Sequence, residues 1–337
     1  MAQAEHRGGN VAADRDNRDL VDMAMSPAAV VALRGNRGVW TTARRRQAIE
    51  GYLYIAPWLI GFFFLTLGPF VASIYISFTS YPILTAPKWV GLRNYVEALS
   101  GTDELFWPAL AKTFYFAVVS VPLGVVGSLL VAVLLNEKLH GTTVFRTLFY
   151  MPSLVPGVGA ILLWLYLLDP VYGPLNAFLQ SLGIDGPLWF QSIEWAIPGL
   201  IIMALWTGIG GSRMIIFLAG LQGVPEELYD AAAIDGAGAW HRFRHVTVPM
   251  LTPVIFFNTV LGIIGALHVF ATAFVATQGG PAYATWFIAL HIYNQAFRYF
   301  QMGYASALAW IFCVILVALT LVQIRLARVW VYYGGER

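Results

Sequence analysis

Few side chains in this 337-residue sequence have the neighbours that chemistry requires. A phosphate-cradling loop sets its lysine after glycine and before Ser or Thr. Lys88, Lys112 and Lys138, the three lysines, follow Pro87, Ala111 and Glu137 instead. The sequence therefore predicts no catalytic residue and no ATP hydrolysis by this chain. Cys313 is the single cysteine, which excludes an internal disulfide and any Cys-x-x-Cys pair. His-Glu-x-x-His is absent too. His241 and His245 stand four apart, as ligands on one helical face do, but no acid or cysteine in that run completes a set. No metal is expected there; polar contact with a partner or with lipid headgroups suits the pair better. Paired acids and nucleophile–base sets are also missing, so a membrane-embedded enzyme would lack its machinery.

What remains is a handful of polar residues inside long apolar stretches. Such residues are costly in hydrocarbon and mark paths or contacts. Arg213 is the one charge in 195–220. At about 1.5 Å per residue it lies about 27 Å along from Trp195, past the midplane of a bilayer. A solute or gate contact and a structural pairing with carbonyls are both open to it. Asn258 and His268 share a stretch and either line one cavity or hydrogen-bond between helices. Trp206, Phe270 and Tyr304 offer flat faces on which a sugar ring could stack, or simply fill the core. Gln278 before Gly279-Gly280-Pro281 reads as a tight turn near the same path. An ion-driven carrier expects acids inside its spans, and only Glu194, at an edge, comes close.

The elements that must hold these residues follow from composition. Hydrophobic residues make up 58 % of the chain, charged residues 11 %, and mean hydropathy is +0.67. A soluble domain averages about 25 % charged residues, so a water-covered surface is excluded. Six stretches, 52–78, 113–135, 147–168, 195–220, 249–276 and 302–324, meet the length of about 20 apolar residues that a spanning helix needs. The sequence thus predicts an all-α integral membrane domain of six transmembrane helices over 46–330. A seventh apolar patch, 282–297, is too short and reads as a surface or re-entrant helix. Residues 1–45 read as a disordered tail and 331–337 as a short one. Of the 20 basic residues, 15 fall in the N-terminus, 136–146, 221–248 and the C-terminus, and only four in the alternate segments. The positive-inside rule then places both termini and 221–248 in the cytoplasm. Net charge is +2, which leaves no nucleic-acid footprint.

The loop 221–248 is polar yet patterned as a helix. Pro225-Glu226-Glu227 opens one, with two acids at the positive end of its dipole. Gly236 and Gly238 break it, and a second run, 239–246, carries Trp240, Phe243 and Arg244 before Pro249 opens the next span. Alanines on an exposed face admit a second backbone, and Trp240 and Phe243 suit a partner's pocket.

Asp230-Ala231-Ala232, three residues, Gly236, nine residues, Val246, one residue, Val248-Pro249 resembles the "EAA" loop of ABC importer permeases. Asp230, Val246 and Val248 replace Glu, Ile and Leu of that pattern. Leu218 to Gln222, Val90-Gly91-Leu92 with Asn94-Tyr95, Gly279-Gly280-Pro281 with Thr285, and Gly303 to Ala307 are similar to carbohydrate-type permeases. Within them the match is to the first permease subunit of maltose or glycerol-phosphate systems, over about residues 45–330. The resemblance implies a type I importer transmembrane domain in a bacterial or archaeal cytoplasmic membrane. It further implies a second six-span permease, two copies of an ABC ATPase that bind the ATP and Mg, and an extracytoplasmic solute-binding protein delivering a sugar-like solute. Glu226, Glu227, Asp230, Ala231, Ala232, Asp235, Gly236, Trp240, Phe243, Arg244 and Pro249 would then meet the ATPase. Asp169, Tyr172, Gly173, Lys88 and Arg93 become candidate contacts for the binding protein. The family often has a neutral amide where Arg213 stands, so the arginine is a departure that hints at an anionic or unusually polar solute.

Overall fold

The computed structural model describes residues 27–137 and 141–332. The chain divides into two compact units between Ala72 and Ser73. In the first, helix α1 (Pro27–Gly61) passes through a π-helical turn, Phe62–Leu67, into the first residues of α2 (Gly68–Ser77), whose remainder belongs to the second. Pro57 lacks the N–H that would bond back one turn, and the wider turn follows within five residues. The helix begins inside the stretch expected to be a disordered tail, so that expectation gives way over 27–45. Pro27 has the φ of a first helical residue and Ala28, Ala29, Ala32 and Leu33 behind it favour helix. Residues 1–26 and 333–337, and with them the rest of both expected tails, lie outside the described residues.

The second unit is built around α4 (Phe106–Asn136), which packs against α8 (Ile193–Ile209), α9 (Ser212–Gln222) and α12 (Thr252–Leu267). Its buried face includes a line of small residues, Ala109, Thr113, Ala117, Ser120, Gly124, Ser128 and Ala132, at helical spacing. Small residues let neighbouring backbones approach where lipid leaves packing as the main attraction. One cluster of buried side chains, with Phe106, Phe116, Leu200, Phe287 and Leu308, surrounds the N-terminal half of α4. A second, with Val125, Leu129, Phe217, Leu221 and Leu251, surrounds its C-terminal half.

Among the described residues four helices are long and apolar enough to cross a membrane: Arg44–Ser77, Phe106–Asn136, Thr252–Ala276 and Met302–Trp330 (the last is α15). Two bent pairs raise the number to six if each is one span. In the first, α5 (Thr142–Tyr150) and a 3-10 turn, Met151–Leu154, meet α6 (Gly157–Leu167) at 96°. The continuous stretch 147–168 is therefore a sharp corner. Pro152 and Pro156 each remove a backbone donor, and Val155 before proline is forced to an extended ψ of 129°. In the second pair α8 and α9 meet at 44° across Gly210-Gly211. A side chain at Gly210 would overlap the carbonyl of Phe149 at the end of α5, so the break doubles as a site of close backbone approach.

The patch 282–297 is no surface helix. Helix α14 (Ile288–Tyr293) and the π turn Asn294–Arg298 sink Ile288, Leu290, His291 and Asn294 into the unit. Thr113 Oγ1 of α4 accepts the Ile288 N–H at 2.9 Å and so caps α14 from outside. The short sheet Thr79–Ser80 with Lys88–Trp89, helix α3 (Arg93–Leu99) and the start of α15 form a cap at the same end. Asn94 donates to Ser77 O at 2.8 Å and Thr79 O at 2.9 Å, and Tyr95 OH meets Ser77 Oγ at 2.7 Å. Gly303 admits the Thr79 carbonyl where any Cβ would collide. Asn94→Ala leaves two buried carbonyls unpaired and is expected to lower stability by about 1–3 kcal/mol. A lower Tm of the detergent-solubilised protein checks it.

Candidate functional site

Three places in the second unit bring functional groups together. At the C-terminal end of α4 lies the loop between α9 and the next span. Helix α10 (Glu226–Ile234) has no buried residue. It is closed by a Schellman-type turn: Ala237 N–H donates to Ala232 O (2.9 Å) and Gly236 N–H to Ala233 O (3.0 Å). Gly236 sits at φ +78°, in the left-handed region that a Cβ penalises. That turn explains the spacing from the alanines to the glycine: the alanines supply the carbonyls, and the glycine turns the chain. Helix α11 (Ala239–Arg242) and the π turn Phe243–Thr247 follow. Tyr229 OH meets Thr247 Oγ1 at 3.0 Å and braces the two limbs.

Glu226, Glu227, Asp230, Ala231, Asp235, Gly236, Trp240 and Arg244 are all exposed, while Ala232, Phe243 and Pro249 are half-buried. Trp240 stacks on Phe243 with centroids 5.6 Å apart and still leaves 69 % of its surface open. Ile234 is 87 % exposed. His241 and His245 stack on each other, and the His245 ring meets the His241 carbonyl at 3.1 Å. No cluster of three metal-ligating side chains occurs among the described residues.

The second place is a cavity of about 300 Å³ between α4, the α8–α9 break and α12. Arg213, in the first turn of α9, lines it with Ser120, Thr207 and Thr272. Its Nη1 fills the space that a Cβ at Gly124 would take, and its Nη2 lies 3.3 Å from the corresponding point at Gly262. The two glycines thus make the room for the guanidinium. Of the expected path residues, Arg213 alone lines this cavity. Trp206 packs edge-on against Trp164 (5.8 Å), and Phe270 joins Phe274 and Tyr293 in an aromatic group. Gln278, at φ +50°, borders a separate cavity with Phe274, Tyr293 and Arg298. Asn258 is buried and donates to Val254 O of its own helix, and exposed His268 bonds back to Ile264 O. Ser120, Thr207 and Thr272 escaped sequence reasoning because hydroxyls inside helices ordinarily bond their own backbone.

The third place is a buried relay at the N-terminal end of α4. Asp103 Oδ2 accepts from His291 Nε2 at 2.7 Å and from Tyr304 OH at 2.6 Å, while Oδ1 accepts the Leu105 N–H at 3.0 Å. Trp286 Nε1–H donates to His291 Nδ1 at 3.0 Å. Indole is a donor only, so the His291 proton must sit on Nε2, facing Asp103. Burial pushes the Asp103 carboxyl up, but the hydrogen bonds from His291, Tyr304 and Leu105 outweigh it and hold the group at about 2. Tyr304 therefore spends its hydroxyl on this relay. Asp103, Trp286 and His291 went unread because they lie far apart in sequence, and Asp103 sits among ordinary loop residues.

Among the expected outer contacts, Asp169 Oδ1 accepts the N–H groups of Val171 (2.9 Å) and Tyr172 (2.8 Å), shaping a tight turn that leaves Tyr172 exposed. Gly173 closes that turn against the Asp169 backbone. Lys88 lies on the second strand and Arg93 opens α3.

Residues 106–330 match the family model described as the binding-protein-dependent transport system inner membrane component. The chain is 42 % identical over 296 residues to a probable ABC transporter permease protein, YesP, of Bacillus subtilis, covering 87 % of this chain and 94 % of that one. It is 33 % identical over 287 residues to the trehalose/maltose transport system permease protein MalF of Thermococcus litoralis, covering 84 % and 95 %. Its fold matches a chain of a bacterial ABC transporter involved in the import of the acidic polysaccharide alginate, with a TM-score of 0.75, 22 % identity and coverage of 86 % and 98 %. The chain belongs to the inner-membrane permease components of binding-protein-dependent ABC transport systems, among carbohydrate-type relatives, and is a multi-pass membrane protein of a family whose members are permeases rather than catalysts.

Proposed function

We propose that this chain is one permease subunit of an ATP-driven, binding-protein-dependent importer for a sugar or sugar-like solute. In this reading it spans the cytoplasmic membrane six times with both termini inside. A second six-span permease completes the path, and two copies of an ABC ATPase bind the ATP and Mg. The extracytoplasmic binding protein meets the segments around Lys88, Arg93, Asp169, Tyr172 and Gly173. The sugar assignment draws on relatives such as the trehalose/maltose permease.

The observation that carries the reading is the bent helix pair of α10 and α11. It buries nothing in α10, exposes Trp240 and Ile234, and is braced by Tyr229 and Thr247. An alanine- and acid-faced limb with exposed Trp240 and Ile234, held between α9 and α12, is suited to a partner's cleft and transmits a rigid-body motion. The C-terminal end of α15 stands beside the start of α12, where Tyr332 N–H donates to Thr252 Oγ1 at 2.9 Å. That agrees with a C-terminus on the same side as the loop.

The test is co-purification. A tagged chain expressed with the candidate ATPase and second permease should retain both, and deletion of 226–245 should lose the ATPase while keeping the second permease. Retention of the ATPase by the deleted chain would overturn coupling through this loop.

A further inference from the structure

We propose that the cavity around Arg213 is an anion subsite, and that the solute carried past it is an acidic sugar bearing a carboxylate or sulfonate. This rests on the importer reading above and narrows it.

Arg213 is a permanent cation, since guanidinium does not lose its proton in proteins. It sits inside the helical bundle, at the break of a bent span. An unpaired cation there is expensive, and bundle-facing charges ordinarily meet a counter-charge. None is supplied among the described residues: no acid lines the cavity, and α4, α9 and α12 contain no Asp or Glu. The acid of α8, Glu194, sits in that helix's first turn, at the far end from the break. Among the described residues no hydrogen bond or ion pair engages the guanidinium.

The surroundings also fit such a guest. The guanidinium is seated between Gly124 and Gly262, which fixes its position across two facing helices. Ser120, Thr207 and Thr272 bring hydroxyls to the same wall, while Phe116 and Val269 bring apolar surface. A sugar needs both, and the fork of donors on arginine matches the two oxygens of a carboxylate. The first-turn N–H groups of α9 add partial positive charge on the same side. A neutral sugar would leave the cation without an anion in its path.

The test uses the complete importer, with both permeases, the ATPase and the binding protein, in proteoliposomes supplied with ATP. The probes are labelled digalacturonate, cellobiouronate and dimannuronate, each beside its methyl ester, with maltose and lactose as neutral sugars. The wild type should import at least one acid and lose that import when the acid is esterified. Arg213→Gln should lower import of the acid by about tenfold or more, the scale of one lost charge-assisted hydrogen bond. Arg213→Lys, which keeps the charge, should retain more than the glutamine variant. Subunit recovery establishes that both variants assemble. Import of maltose or lactose with exclusion of every acid would overturn the anion subsite and leave the importer reading standing. Acid import unchanged in Arg213→Gln would overturn it as well. Import of no probe of either class by the assembled complex would overturn the sugar reading and this one with it.

Discussion

Asp230→Lys is expected to reduce solute uptake to background, a fall of a hundredfold or about that, in a chain that still inserts and still pairs with the second permease. Asp230 lies on α10, which buries no residue, so the substitution disturbs no packing. Surface changes of this kind ordinarily alter stability by less than about 0.5 kcal/mol. Its effect must therefore be on a partner. Glu226, Glu227, Asp230 and Asp235 give this limb an acidic face, and lysine places a like charge against whatever basic surface is shaped to receive it. Like charges brought together at an interface cost several kcal/mol, and about 2.8 kcal/mol already corresponds to a hundredfold. Gly236→Pro should do the same by geometry alone. Proline fixes φ near −65° where the turn needs +78°, and it removes the N–H that bonds Ala233 O. The measurement is uptake into inverted-control and right-side-out vesicles, beside recovery of the ATPase on the tagged chain. Wild-type uptake in Asp230→Lys would remove the acidic face from the docking account.

That limb is also where sequence and structure agree in most detail, and the reason is locality. A proline start, two first-turn acids, a run of alanines and a left-handed glycine each act over four or five residues, so spacing alone reveals them. The apolar stretches 113–135 and 302–324 were legible for the same reason, and they lie inside the longer helices Phe106–Asn136 and Met302–Trp330. What was not legible depends on distant parts of the chain. The corner at Pro152–Gly157 could have been a mild kink, since prolines inside membrane helices are tolerated when neighbours satisfy the freed carbonyls. The burial of α14 is decided by Thr113, which lies 175 residues away from Ile288. Arg213 was visible as an isolated charge, but the glycines that seat it and the hydroxyls around it were not. The start of α1 at Pro27 was hidden by the charged composition of the segment, which reads as tail. Tyr304 stood out as a ring, yet its hydroxyl is committed to an aspartate 201 residues away in sequence.

Asp103→Ala is expected to be strongly destabilising at the N-terminal end of α4. It strips the acceptor from three donors at once: His291 Nε2–H, Tyr304 OH and the Leu105 N–H. His291 is fully buried, Trp286 holds its proton on Nε2 by donating to Nδ1, and Asp103 Oδ2 is the acceptor that this Nε2–H meets among the described residues. Tyr304 OH loses the same oxygen. An unsatisfied buried donor costs about 1–3 kcal/mol, so the two side-chain donors together cost about 2–6 kcal/mol. Tyr304→Phe removes one donor along with its hydrogen bond and should cost less, about 1.5–3 kcal/mol for a bond to a charged acceptor. The ordering of the two variants separates a shared acceptor from two independent contacts. The pH dependence follows from the depressed Asp103 carboxyl, held at about 2. A group lowered on folding contributes stability that is fully present above its ordinary range, near 3.9, and is lost as pH falls toward 2. Asp103 itself should therefore stay ionised from pH 8 to pH 5, and its share of the Tm difference between wild type and Asp103→Ala should hold constant across that window. Thermal unfolding of the detergent-solubilised chain at pH 8, 6.5 and 5 measures it. A Tyr304→Phe loss equal to the Asp103→Ala loss would mean that His291 draws nothing from the carboxylate, and the relay would reduce to a single hydrogen bond.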